Sequence, residues 1–297
     1  MVEARRVRAV IELLIAGAFW GFGFIATKWA LEALNMAELV FLRFTIGALI
    51  GLPFVFAARG HSVRKKFRLS FWPAVLLMAT LLFQTAGLLY TTPTKCGFIT
   101  TLYVVFVPLL EAALMRRRIP LGIWACVVGA IIGTGLIVDI GYSEINIGDV
   151  LTFISALAAT GQIYYMGSVS PRIQFPFVFN IYQCFWCLLM VLPFVRWSEL
   201  SAKLHSIGAW PNTAVIGITT LAIGSTVIAF YLQVKAQKDL SRTVSSLLCL
   251  LESPFAMIFS MILLSQSLNF WESIGALLIF VSAFFATWFE AKFAKSV

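Results

Sequence analysis

The sequence predicts an all-α integral membrane protein of ten transmembrane helices, arranged as two inverted five-helix repeats with both termini cytoplasmic. Three observations predict this fold class: an apolar composition, an uneven distribution of basic residues between the loops, and a partial repeat of the first half in the second. Of the 297 residues, 61% are hydrophobic and 12% are charged. A soluble domain carries about 25% charged residues, so this composition leaves little length for a soluble catalytic domain.

Ten apolar windows of about 19–23 residues follow one another along the chain. A helix of that length crosses the roughly 30 Å hydrocarbon core at 1.5 Å per residue. Open sheets are excluded because lipid leaves their edge N–H and C=O groups without partners. The predicted helices cover about 10–30, 37–58, 71–91, 96–115, 121–139, 148–168, 176–196, 211–233, 243–264 and 270–290.

Basic residues predict the orientation of these helices. If the N-terminus is cytoplasmic, 17 of the 22 basic residues lie on the cytoplasmic side, and three loop residues, Lys95, Arg196 and Lys203, lie outside. The remaining two, Lys28 and Arg43, lie within helices. Such a bias is typical of cytoplasmic loops near anionic lipid headgroups, so the net charge of +9 indicates a lipid bilayer rather than nucleic acid as partner. The 17 on the cytoplasmic side are Arg5, Arg6, Arg8, Arg59, Arg64, Lys65, Lys66, Arg68, Arg116, Arg117, Arg118, Arg172, Lys235, Lys238, Arg242, Lys292 and Lys295.

Short matches between the halves predict an internal duplication. The tetrapeptide at 52–55, Leu-Pro-Phe-Val, returns at 192–195, and Pro108 matches Pro254 at an offset of 146. We therefore divide the chain into one five-helix repeat at 1–142 and a second at 143–297. Five is odd, so the second repeat enters the membrane from the opposite side. Inverted repeats of this kind are typical of secondary transporters, which alternate between inward-open and outward-open states.

Four motifs resemble the ten-helix drug/metabolite transporter superfamily, specifically its EamA-type branch. They are the Trp-Gly motif at 19–28, Phe41-Leu42-Arg43-Phe44, the fourth-helix segment at 97–108, and Gly148-Asp149-Val150-Leu151. The resemblance implies a transporter of small organic metabolites in the bacterial inner membrane, often an exporter of amino acids or related amphipathic compounds. It implies uniport, exchange or proton coupling by a monomer or homodimer. Nucleosides, amines and toxic amphipathic drugs are alternative substrates.

Glu252 is the first candidate for substrate binding. It lies near the middle of the predicted ninth helix, two residues before Pro254, whose missing N–H leaves a backbone carbonyl without its usual donor. An acid at this depth is costly unless it is paired or wet. It can bind a substrate amine or carry a coupling proton, or it can form an interhelical hydrogen bond as a protonated acid.

Three further charged residues are candidates for gating or ion pairing. Glu111 lies one to two turns before the arginines at 116–118, so an ion pair with them is the first interpretation and a cytoplasmic gate the second. Lys28 and Arg43 lie toward the outer ends of their helices. They can pair with the nearby Glu32 and Glu38, or bind a substrate carboxylate.

Uncharged polar and aromatic side chains near mid-depth complete the predicted cavity. Trp20 lies away from the interfacial belt where tryptophan is usually found, which suits a cavity wall or gate as well as helix packing. With so few buried cations, phosphorylated sugars are poor substrates and an amphipathic ligand is favoured. The candidate substrate-binding residues are Trp20, Gln84, Tyr103, Gln162, Tyr165, Tyr231 and Glu252.

The sequence contains few motifs that would support another functional class. Cys184 and Cys187 form a C-x-x-C pair inside an apolar helix without a second Cys/His pair, so neither a metal nor a cofactor is expected. A membrane enzyme would need a pattern such as H-E-x-x-H, and both histidines, His61 and His205, lie in loops. No P-loop motif accompanies the helices, so ATP hydrolysis is not expected. The glycine motifs Gly17-x-x-x-Gly21, Gly47-x-x-x-Gly51 and Gly129-x-x-x-Gly133 favour close packing within the bundle over dimerisation.

Overall fold

A computed structural model describes residues 2–58, 67–91, 93–115, 119–137, 145–264 and 269–293. Over these residues the chain is helical, with no strand. Nine helical segments in this part are long and apolar enough to cross a membrane, and a tenth apolar helix, Leu121–Ile137, has 17 residues. The all-α membrane fold class is therefore confirmed, and the predicted end of the fifth helix, at 138–139, lies outside the described residues.

The helices follow the predicted windows closely. The first five spans are α1 (Val2–Ala30), α2 (Met36–Ala57), α3 (Phe71–Leu88), α4 with α5 (Pro93–Thr101, Tyr103–Met115) and α6 (Leu121–Ile137). The second five are α7 (Ile147–Val169), α8 (Pro176–Val191), α10 with α11 (Asn212–Thr219, Phe230–Ala236), α12 with α13 (Arg242–Cys249, Glu252–Leu264) and α14 (Phe270–Phe293). A short helix, α9 (Trp197–His205), lies between α8 and α10.

Three spans begin with the same local motif. Asn35, Asn146 and Asn269 each cap a helix by accepting the backbone N–H of an acid three residues later, and that acid's carboxylate accepts the N–H of the asparagine. This reciprocal capping box satisfies backbone donors that a helix end would otherwise leave unpaired. The Asn-x-x-acid pattern therefore sets where α2, α7 and α14 begin.

Glycines bring several helices into backbone contact. A Cβ built on Gly133 of α6 would stand 2.6 Å from the carbonyl oxygen of Gly275 in α14, and one built on Gly87 of α3 would stand 2.9 Å from that of Gly148 in α7. Real Cβ atoms essentially never come this close to backbone, so only glycine permits these crossings. The three predicted glycine motifs all pack against helices of the same chain, which confirms their use inside the bundle.

Three spans depart from a regular α-helix near their middle. The fourth breaks at Leu102 between α4 and α5, and the ninth breaks at Leu250–Leu251 between α12 and α13. The eighth contains a π-helical stretch, Thr220–Ala229, between α10 and α11. Interrupted helices and π stretches are tolerated at this depth where they line a cavity, and they are frequent at functional sites.

Candidate substrate cavity

A cavity of about 430 Å³ lies among helices of both predicted repeats. It draws on α1 to α5 from the first repeat and on α7, the π stretch, α11, α12 and α13 from the second. The lining residues are Trp20, Gly23, Phe24, Thr27, Lys28, Leu31, Leu39, Val40, Arg43, Leu77, Thr80, Leu81, Gln84, Thr85, Thr100, Tyr103, Ala159, Gln162, Ile163, Leu221, Ser225, Phe230, Gln233, Cys249 and Glu252.

The cavity has a closed floor and an accessible mouth. Tyr103, Gln162 and Gln233 at the floor are all at least 95% buried, whereas Lys28 and Leu31 at the other end are exposed. The mouth therefore lies at the C-terminal end of α1, the end that the charge pattern assigns to the outside. One face of α1, from Trp20 to Leu31, forms a wall about 16 Å long at 1.5 Å per residue.

The break in the ninth span places Glu252 in the cavity wall. Pro254 has no N–H to offer the carbonyl of Leu250, and the N–H of Ser253 donates to that oxygen instead, at 3.1 Å. The resulting tight turn ends α12 and makes Glu252 the first residue of α13. Within the described part of the chain, the Glu252 carboxylate has neither a hydrogen bond nor an ion pair. The predicted acid therefore faces a cavity with no protein partner.

Arg43 lies in the same cavity, anchored to the π stretch. Its Nε donates to Thr226 Oγ1 at 2.9 Å, and its terminal nitrogens donate to no residue that the structure describes. Asn180 Nδ2 donates to the backbone oxygens of Thr226 and Val227 at 3.0 and 3.1 Å. Since a π stretch disrupts the usual i to i−4 pairing, it exposes carbonyls for Asn180 and orients Thr226 toward Arg43.

Lys28 extends the positive charge toward the mouth. It makes no ion pair among the residues described, because the two nearby acids are engaged elsewhere. Glu32 accepts from Thr213 Oγ1 at 2.7 Å, and Glu38 binds Lys203 Nζ at 2.6 Å. The expected pairing of Lys28 and Arg43 with Glu32 and Glu38 is therefore not formed in this structure. Both cations instead line the same cavity as Glu252.

Uncharged polar groups form the floor. Gln162 and Gln233 exchange two amide hydrogen bonds of 3.2 and 3.4 Å across α7 and α11. The Trp20 indole N–H and the Tyr103 hydroxyl are buried and have no partner among the described residues. The Trp20 ring packs on Phe230 with 5.4 Å between ring centroids. Two polar groups available for hydrogen bonding, beside aromatic rings, suit the binding of an amphipathic ligand.

Two predicted cavity residues lie outside the lining. Tyr165 packs against the apolar cluster around Met166. On α7 it is rotated by more than about 100° from the lining residues Ala159 and Ile163. Tyr231 follows the lining residue Phe230 by about 100° of helix rotation and makes an edge contact with Phe177 at 5.6 Å. Among the described residues, therefore, these two tyrosines pack against their neighbours rather than against the cavity.

Glu111 binds two residues of the second repeat. Its carboxylate binds Arg242 NH1 at 3.2 Å and Thr243 Oγ1 at 2.8 Å, both on α12 of the second repeat. The expected partners at 116–118 lie outside the described residues. Glu111 lies beyond the cavity floor, at the end opposite the mouth.

Sequence reasoning missed several lining residues. Gln233 is the last residue of its predicted window, where a polar side chain is expected at the membrane surface, and its pairing with Gln162 shows that it is buried. Thr27 follows Trp20 by seven residues, and Thr80 precedes Gln84 by four, so helical spacing from a predicted residue was the available signal. Cys184 and Cys187 are buried free thiols in the packing between α2 and α8. Within the described residues no group of three His, Cys, Asp or Glu side chains could hold a metal.

The fold is that of a multi-pass membrane protein, and its candidate cavity is lined by residues from both halves of the chain. The model of the EamA-like transporter family matches residues 7–139 and again 146–288, so the chain belongs to that family. It is 28% identical to an uncharacterized transporter of Archaeoglobus fulgidus over 282 residues, which cover 94% of this chain and 85% of that one. A crystal structure of a protein 19% identical superposes with a TM-score of 0.71 over 96% of this chain and 98% of the other, which shows the shared fold.

Proposed function

We propose that this transporter moves a small zwitterionic metabolite, of the amino acid type, out of the cell across a bacterial inner membrane. The observation that carries the proposal is one cavity lined by three charged side chains, Glu252, Lys28 and Arg43. Among the residues that the structure describes, none of the three forms an ion pair. A ligand with one amine and one carboxylate satisfies both kinds of group, because each charged side chain then gains a charge-assisted hydrogen bond.

Alternating access between inverted repeats is the proposed mechanism. The helix contacts support it: α3 packs on α7, and the exchanged pair, α1 with the eighth span, packs as well. In the same way α1 of the first span packs on α13 of the ninth. The corresponding spans in the other repeats are the sixth and the fourth, and their helices α7 and α5 also pack together. A set of contacts that survives exchange of the halves is expected for a pseudo-two-fold axis in the membrane plane. Rocking one repeat on the other then closes the mouth and opens the floor.

Coupling to protons or exchange is part of the proposal. Glu252 is the only carboxylate among the lining residues, so a proton and a substrate amine would compete for it. No step requires a cofactor or nucleotide. The protein would therefore act as a secondary transporter, without covalent chemistry.

A cationic amphipath is a second candidate substrate. The aromatic wall of Trp20 and Phe230 beside the cavity acid favours it, since aromatic faces attract organic cations. Lys28 and Arg43 oppose it by adding two positive charges to the same lining. The zwitterion accounts for all three charged groups, and the cation for only one.

Counterflow in proteoliposomes tests the proposal. We expect saturable uptake of at least one labelled amino acid into vesicles preloaded with the same unlabelled compound. Labelled uridine and tetraphenylphosphonium represent the nucleoside and cationic alternatives. Glu252→Gln serves as the binding-deficient control. Saturable counterflow of tetraphenylphosphonium alone would replace the zwitterion with the cation. Absence of counterflow for every probe, with monodisperse protein, would contradict a transporter of this class.

A further inference from the structure

Arg242 holds together three helices at the end of the bundle opposite the cavity mouth. From the start of α12, its NH1 binds Glu111 Oε1 of α5 at 3.2 Å and its NH2 donates to Ser168 Oγ of α7 at 3.1 Å. Its Nε donates to the backbone oxygen of Tyr164 at 3.2 Å. One guanidinium thus uses three nitrogens on three separate groups, a geometry that lysine cannot reproduce.

The surroundings are shaped for this side chain. The guanidinium carbon lies 4.7 Å from the centre of the Tyr164 ring. A Cβ built on Gly167 would stand 2.5 Å from the Arg242 Cγ, so a larger residue at 167 would displace the arginine stem. The neighbouring Thr243 donates to the second oxygen of Glu111 at 2.8 Å. The pair is largely removed from solvent, with 15% of the Arg242 side chain and 8% of the Glu111 side chain exposed.

This network joins the two predicted halves. Glu111 belongs to the first repeat, whereas Arg242, Thr243, Tyr164 and Ser168 belong to the second. Because these groups are nearly buried, separating them would leave a charge without a partner, which is costly in a low-dielectric environment. The network therefore opposes any motion that parts α5 from α12 at this end.

The corresponding position in the first repeat is not an arginine. The offset of 146 that pairs Pro108 with Pro254 pairs Cys96 with Arg242. Cys96 lies 3.4 Å from Thr152 Oγ1 on α7, a neutral contact between a thiol and a hydroxyl. Neutral hydrogen bonds are weaker than charge-assisted ones. The charged network at Arg242 is therefore stronger than the contact at Cys96.

We propose that Arg242 is the latch of the cytoplasmic gate, and that its charged network makes the conformation with the mouth open at the other end the resting state. The inference rests on the alternating-access mechanism proposed above and adds a residue that does not touch the cavity. Opening toward the cytoplasm requires Arg242 to release Glu111. A cytoplasmic substrate favours that release by binding the inward-open state more tightly, which shifts the equilibrium toward it as export requires.

A reporter cysteine at the cavity floor tests the latch. Ala159 lines the floor and is small, so Ala159→Cys introduces a thiol that solvent reaches only through an open gate. Cys249 lines the same cavity, so the reporter is built in a Cys249→Ala background. The other four native cysteines are buried, and the Cys249→Ala chain without the reporter measures their background labelling. A membrane-impermeant charged maleimide is added to right-side-out or inside-out vesicles, and the labelling rate from each side is compared.

The latch predicts a one-sided change. Arg242→Ala in the reporter background should raise labelling from the cytoplasmic side about tenfold and lower it from the outside, since losing a charged hydrogen bond shifts the conformational equilibrium by about that factor. Thr243→Val removes a single hydrogen bond to Glu111 with little change of shape, so a smaller rise in the same direction is expected. Arg172→Ala, which removes an exposed charge on the same side, should leave both rates unchanged.

Other results would overturn the latch. Equal cytoplasmic labelling in the parent, Arg242→Ala and Thr243→Val would show that the network is not a gate, and an equal rise for Arg172→Ala would show a general charge effect. The labelling needs no substrate. Failed counterflow with a one-sided labelling change would therefore reject the proposed substrate class and keep the latch, whereas successful counterflow without the labelling change would do the reverse.

Discussion

Gly21 of α1 and Glu252 of α13 lie in direct backbone contact: a Cβ at position 21 would stand 2.7 Å from the Glu252 carbonyl oxygen. The same Cβ would lie 2.7 Å from the Ala256 nitrogen and the Phe255 Cβ. The acid in the cavity is thus held in place by the absence of a side chain on the neighbouring helix. No other residue permits this approach.

Gly21→Ala should therefore displace α13 and impair transport while the chain stays in the membrane. Overpacking of this kind costs about 1–3 kcal/mol, and we expect a lower melting temperature and a transport rate reduced about tenfold. Gly208→Ala is the matched control, because a Cβ there meets nothing within 4 Å. Equal behaviour of the two variants in thermal melting and counterflow would show that the contact is not tight in solution.

Glu252→Gln keeps the shape of the side chain and removes its charge and its exchangeable proton. We expect transport to fall to background in proteoliposomes with an imposed pH gradient, while size-exclusion profiles remain monodisperse. Glu199→Gln, at an exposed position outside the cavity, should transport as the parent chain does. Full activity of Glu252→Gln would remove this residue from both recognition and coupling.

Arg43→Gln should weaken binding of a carboxylate more than binding of its uncharged analogue. Losing a charged hydrogen bond costs about 2 kcal/mol, so the concentration for half-saturation should rise about 30-fold for an amino acid and little for its amide. Arg196→Gln, in an exposed ion pair with Glu199, is the control. A similar loss for acid and amide would indicate that Arg43 supports the cavity through Thr226 and does not bind the carboxylate.

The amide pair at the floor makes a prediction about stability. Gln233→Leu leaves the buried Gln162 amide without its partner, and the unfolding free energy should fall by about 1–3 kcal/mol. The double variant Gln162→Leu/Gln233→Leu replaces both amides and should recover most of that loss. Thermal melting of the parent, Gln162→Leu, Gln233→Leu and the double variant forms the test, and additive losses would mean that the amides are not coupled.

Most of the fold could be predicted from the sequence, because bilayer thickness sets the length of each helix and an apolar composition identifies each span. The interruptions at Leu102 and at Thr220–Ala229 were not predictable, because the residues there are as apolar as those of a continuous helix. Only the break before Pro254 had a local signal, the missing N–H.

The cavity was predicted in part for a similar reason. Charged residues such as Arg43 and Glu252 are conspicuous in an apolar span, whereas Gln233 and Ser225 are not. Tyr165 and Tyr231 show that membrane depth alone does not predict a cavity residue. A side chain at the depth of the cavity must also lie on the helix face that lines it. The contact between Glu111 and Arg242 could not be predicted from the sequence, since the two residues are 131 positions apart along the chain.

The turn at Leu250–Leu251 gives the ninth span two independent arms. One arm, α12, begins at Arg242, and the other, α13, begins at Glu252, ten residues later and about 15 Å away along the helix axis. A rigid rod would force both ends to move together. A jointed span lets α13, which lines the cavity, and α12, which carries Arg242, tilt at different times. The cavity wall and the cytoplasmic end therefore need not rearrange in a single step.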